Sequence, residues 1–164
     1  MMPAPGSRPD AKGRDPGTAA VSGTVIGFDF GERRIGVAVG ETSTRIANPL
    51  GAIEESANAR RFARIDALVR EWKPAAFVVG QPRHADGSEH AVAVRAAKFA
   101  RRIAGRHGLP VFMVDETLTS ADAEATLREM RARRARSGDV DALAAALILQ
   151  SFLDDPQGHG RLAS

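Results

Sequence analysis

An α/β fold, with a mixed central sheet of about five strands flanked by helices, follows from three features of the 164-residue sequence. Two short apolar strands with a tight turn between them open the ordered part of the chain, over Thr24 to Gly40. Short apolar runs and amphipathic helical stretches then alternate to the end, the pattern of layered α/β proteins. The run AAFVVG, Ala75 to Gly80, is continuously apolar, which suits a strand covered by helices on both faces. Up to three strands precede the first helix, so hairpin pairing is expected there and parallel additions afterwards.

Residues 1–22 are rich in Pro, Gly, Ala and charge and lack the apolar core of a signal peptide. They predict a disordered tail. Residues 23–154 predict one domain, and 155–164 a flexible C-terminal tail. In the first strand, Val25, Gly27 and Asp29 fall on one face and Ile26, Phe28 and Phe30 on the other. Residues around Arg45 to Ile53 suggest a third strand, which Pro49 either ends or places at an edge. From Ala57 to Trp72 the stripe Phe62, Ile65, Val69, Trp72 predicts a helix, with Arg60, Arg61 and Arg64 off that stripe and Lys73-Pro74 as its end.

A turn at Asp86-Gly87 leads to Ser88, a candidate cap for the next helix. There Val92, Ala96, Phe99 and Ile103 form the apolar stripe, and Arg95, Lys98, Arg102 and Arg106 form a second, basic one. His84, His90 and His107 lack metal-ligand spacing and read as loop or surface residues. Leu109 to Val114 predicts the last strand, and a helix is expected from about Ala121 to Arg134. The final helix begins near Asp139 and runs to about Leu153.

Composition narrows the function. With 43% hydrophobic residues and no long apolar run, the sequence suits a globular protein rather than a membrane span. Cysteine is absent, which removes disulfides and thiol chemistry and is compatible with a cytoplasmic setting. The net charge is only +3, so the high isoelectric point reflects the absence of Tyr and Cys more than a charge excess. Local clustering is more informative. Arg131, Arg133, Arg134 and Arg136 crowd one segment, and with Arg33 and Arg34 in the first turn they are candidate phosphate contacts.

Strands are depleted in Asp, so Asp29 at the end of an apolar strand stands out. It either caps the turn at Gly31 or serves as a ligand. Asp139 and Asp141 both lie at the start of the last helix, where the macrodipole favours acids. The wheel separates them. Val140, Ala144, Leu147, Ile148 and Phe152 define an apolar arc; Asp141 projects inside it, whereas Asp139 projects to the opposite side and reads as the cap. Glu116 follows an apolar strand, at a strand end where sites are often built, and Asp115 is its rival. Asp29, Glu116 and Asp141 thus come from distant segments and can converge at one end of a sheet. Clustered carboxylates suit Mg²⁺ or Mn²⁺, and such ions support phosphodiester hydrolysis.

Four stretches in order, DFGERRIGVAVG, GQPRHADGSE, DETLTS and VDALAAALIL, resemble the YqgF-type family. These are small bacterial proteins described as pre-16S rRNA nucleases and as Holliday-junction-resolvase-like. The resemblance covers about Thr24 to Leu153. It implies a ribonuclease-H-like fold, a cytoplasmic role in maturing the 5′ end of 16S rRNA, and Asp29, Glu116 and Asp141 as the motif acids. There are two departures: Gln81 stands where the family loop commonly has Leu, and Thr117 stands where its DERLT-type segment has Arg. The alternatives are a resolvase of branched DNA and a non-catalytic RNA-binding assembly factor. The Asp-Phe-Gly turn also looks like the first phosphate loop of actin-like and sugar-kinase ATPases. Those need two such domains, and this chain has room for one.

Overall fold

The computed structural model describes residues 21–81, 88–115, 137–156 and 160–161. In chain order the elements are β1 (Thr24–Asp29), β2 (Ile35–Glu41), β3 (Ile46–Ile53), α1 (Asn58–Trp72), β4 (Ala76–Gln81), α2 (Ser88–His107), β5 (Val111–Asp115), α3 (Ser137–Asp154) and β6 (Gly160–Arg161). They build one mixed sheet in the order β3-β2-β1-β4-β5-β6. The first three strands pair antiparallel, and β4 and β5 add in parallel beside β1. The sequence leads to five of these strands. The sixth, two residues long and antiparallel to β5, lies within the stretch expected to be a tail. The helix expected over 121–134 lies outside the described residues. Among the described residues no helix is long and apolar enough to cross a membrane.

Strand alternation sorts the core into two layers. Ile26, Phe28, Ile35, Val37, Phe77 and Val79 meet Ile65 of α1 and Phe99 and Ile103 of α2 on one face. On the other face, Val25, Ala38, Ala76, Val78, Phe112 and Val114 meet Ala145, Leu149 and Phe152 of α3. Asp29 has the parity of Val25, so it faces the α3 layer.

β3 runs through Pro49 because it is the outermost strand, where a missing N–H costs no ladder bond. Val37 pairs with Gly51 and Ala38 with Pro49, leaving Leu50 as a bulged residue exposed to solvent. The β2–β3 turn passes through Arg45 in the left-handed region (φ 57°). Gln150 of α3 holds this turn by accepting from Ala47 N–H (3.1 Å) and donating to the Arg45 carbonyl (2.7 Å). The helix ends follow their sequence signals. Lys73 closes α1 in the left-handed conformation, its N–H donating to Val69 O (2.8 Å), one residue before Pro74. Gly108 closes α2 with φ +64° and donates to Ala104 O (2.8 Å).

Two expectations for side chains are corrected. Arg61, expected off the buried stripe, is only 5% exposed. It stands one helical turn before Ile65 and points inward, and its guanidinium donates to the carbonyls of Glu55, Gly31 and Glu32. His107, expected at the surface, packs its ring edge-on against Phe77 at 5.7 Å. It joins α2 to Asp66 of α1, which Arg106 holds by two hydrogen bonds of 2.8 and 2.6 Å. His107 Nε2 lies 3.2 Å from Asp66 Oδ1 without the alignment of a hydrogen bond.

This clamp makes stability depend on pH. Burial holds the His107 pKa below its ordinary value, against a smaller opposing pull from Asp66. The hydrogen bond from Arg106 holds the Asp66 carboxyl below its own. In both cases the unfolded chain binds more protons than the folded one, so acid favours unfolding. The His107 contribution is complete above the unfolded value of about 6.5 and is lost as pH falls through the lower folded value; that of Asp66 follows below about 3.9. The melting temperature is expected to fall on acidification below about pH 6.5, and His107→Gln to flatten that first step. Thermal melts of both proteins across pH check this.

Candidate active site at the end of β1

The site is built where β1 leaves the sheet. Asp29 is the last residue of β1, paired with Gly36 on β2 and with Gly80 on β4. Opposed residues on neighbouring strands put their β-carbons about 5 Å apart, so whatever sits on Gly36 sits beside the Asp29 side chain. What sits there is the start of α3. A β-carbon added to Gly36 would lie 2.0 Å from the carbonyl oxygen of Asp141 and 3.2 Å from its Cα. The helix therefore rests its Asp141 backbone directly on Gly36, which places Asp141 beside Asp29.

The orientation of α3 agrees with the prediction for Asp141, although the arc does not. Ala142, Leu143, Ala145, Leu149 and Leu153 are buried, whereas Val140, Ala144 and Leu147 are only partly so. The helix is apolar nearly all round, so the wheel could not fix its rotation. Packing fixed it: α3 lies against glycines of β1 and β2, as where Leu149 and Ala145 meet Gly27. Asp141 stands in line with Ala145, Ile148 and Phe152 on the sheet side.

Arg34, expected to meet phosphates, pairs with Asp141. Its Nε donates to Asp141 Oδ2 at 2.8 Å, with the two side chains 43% and 25% exposed. Arg33 is exposed in the same turn. Arg61 fixes this turn from behind, through the Gly31 carbonyl at 2.8 Å and the Glu32 carbonyl, with its guanidinium 5.6 Å from the Phe30 ring centre. Arg61 is the contributor that sequence reasoning missed. The available signal was its four-residue spacing to Ile65. Glu116, Arg131, Arg133, Arg134 and Arg136 lie outside the described residues.

The donor set fits a hard divalent cation. Asp29 and Asp141 offer carboxylate oxygens, the chain has no Cys, and the described histidines stand on α2 in the other layer. Among the described residues no group of three metal-ligating side chains forms.

The family described as RuvX, Holliday junction resolvase, matches residues 23–155. The chain belongs to the RuvX family. A relative from Dechloromonas aromatica named "Putative pre-16S rRNA nuclease" is 52% identical over 136 residues, covering 82% of this chain and 92% of the relative. One of the same name from Methylobacillus flagellatus is 50% identical over 137 residues, covering 83% and 94%. Among solved structures, Thermus thermophilus RuvC in complex with a Holliday junction substrate superposes with a TM-score of 0.58 at 22% identity, covering 85% of this chain and 99% of RuvC. That likeness shows the fold, which is ribonuclease-H-like as expected. In this RuvX chain the acid that ends β1 lies within the matched residues.

Proposed function

We propose that this RuvX protein is a cytoplasmic, divalent-metal-dependent endonuclease that hydrolyses phosphodiester bonds in pre-16S rRNA, at the maturing 5′ end. The observation that supports this is the contact of the Asp141 backbone with Gly36, the β2 residue paired with Asp29 at the end of the central strand. Asp29, Asp141 and Glu116 are the proposed ligands. Glu116 is proposed rather than Asp115 because of where Asp115 stands in β5. Asp115 shares the parity of Val111 and Met113, which pack in the α1–α2 layer, whereas Asp29 faces α3.

A divalent ion held there supplies, when bound, the positive charge that a cleaving phosphodiester needs. The chain does the positioning. Asp29 is fixed by strand pairing on both sides and Asp141 by its seat on Gly36. Arg34 takes one oxygen of Asp141 and so holds its carboxylate in one orientation. Arg33 projects from the same turn into solvent, where a backbone phosphate can meet it, and the segment Arg131 to Arg136 is proposed to meet others.

The relatives' names favour RNA as substrate; the family description and the RuvC likeness favour branched DNA as the alternative. Both share one chemistry. Cleavage of a pre-16S 5′ fragment and of a four-way DNA junction, compared with Mg²⁺ and Mn²⁺ at one salt concentration, separates them. Faster cleavage of the RNA is expected. Preference for the junction would reverse the assignment, and binding of RNA with no cleavage under either metal would favour an assembly factor.

A further inference from the structure

α2 carries a cationic line that the cleavage site does not use. Arg95, Lys98 and Arg102 follow at spacings of three and four, so they share one flank of the helix, rising about 4.5 and 6 Å from one to the next. Together with Phe30, Phe62 and Phe99 they border a cavity of ≈ 390 Å³. Phe99 is buried at its base, with Phe62 stacked on it at 6.3 Å and Phe30 tilted against it at 5.2 Å. Phe30 and Phe62 keep part of their surface in solvent. Arg95 pairs with Glu32 of the β1–β2 turn, but Lys98 and Arg102 are exposed and have no acidic partner among the described residues.

Aromatic surface beside unneutralised cations is the combination that receives single-stranded nucleic acid, with bases on the rings and phosphates on the cations. A simple anion would use only the cations, and a duplex keeps its bases stacked away. The position is also informative. Phe30 follows Asp29 in the chain but has the opposite strand parity, so the cavity opens at the same sheet end as the carboxylates, in the other layer. We propose that this cavity binds an unpaired stretch of the substrate strand as it leaves the cleavage site around the end of β1. The proposal rests on the nuclease reading above.

The test is fluorescence anisotropy with a labelled ten-nucleotide oligouridine and with an RNA duplex, both in EDTA, on the full chain. Lys98→Glu/Arg102→Glu is compared with Arg64→Glu/Arg101→Glu, which makes the same charge change elsewhere on α1 and α2. The first pair is expected to weaken single-strand binding about tenfold or more and to lower the salt slope by about 1.4, as two lost phosphate contacts require. Duplex binding should change little, and so should single-strand binding by the second pair. With metal, the first pair should raise KM for a substrate carrying a single-stranded tail, the loss appearing in KM rather than in kcat. Unchanged oligouridine binding, an equal loss on the duplex, or an equal loss from the second pair would overturn the proposal. The two readings fail separately. Cleavage by the wild type with unaltered binding by the first pair removes the cavity and leaves the nuclease. Binding at the cavity with no cleavage of any substrate removes the nuclease.

Discussion

Asp29→Asn is expected to lower cleavage about a thousandfold or more while leaving the fold intact. The substitution is nearly isosteric, and the residue ends β1 between Gly36 and Gly80, so the ladder that defines the sheet does not depend on its charge. What changes is the ability to hold a cation. An amide offers one neutral oxygen where the carboxylate offers two charged ones, and a hard divalent ion discriminates strongly between them. Thermal shift provides a readout independent of turnover. Metal at a hundredfold excess over its Kd should stabilise the wild type by about 2.7 kcal/mol, and most of that gain should vanish in Asp29→Asn. Full cleavage, or an undiminished Mn²⁺-induced shift, would show that Asp29 does not hold the ion.

The parts of this site that could be read in the sequence are those where a residue contradicts its local surroundings. Asp29 is an acid ending an apolar strand, and Asp141 is an acid in a mostly apolar helix; each departs from its neighbours within a few residues. The layer order was legible for the same reason, because parity in β1 and β4 is a local property. What could not be read depends on contacts between segments remote in sequence. Arg61 looked like one of several surface arginines because its partners are backbone carbonyls of the β1–β2 turn and of Glu55, which side-chain patterns do not announce. The pairing of Arg34 with Asp141 could not be read because it spans 107 residues. The rotation of α3 was illegible for a different reason: a helix apolar on nearly every side is oriented by the shape of the surface it meets.

That surface makes Gly36→Ala the more diagnostic substitution, although it alters no charged group. The added methyl would stand 2.0 Å from the Asp141 carbonyl oxygen, a backbone atom that cannot rotate away. The first turns of α3 must therefore retreat by about an ångström or more, and overpacking of this kind costs about 1–3 kcal/mol. The retreat carries Asp141 away from Asp29, and misplacement on that scale is expected to lower cleavage about a hundredfold. Stability loss alone can also reduce activity, so a matched control is needed. Gly27→Ala presses on the same helix farther along, 2.8 Å from Leu149 Cβ, where no carboxylate is displaced. Melting temperatures and cleavage rates of the two variants, measured well below both transitions, separate the effects. Gly36→Ala should be the far slower enzyme even if both melt alike. Equal rates would mean that the seat of Asp141 on β2 packs the core without setting the distance between the two acids.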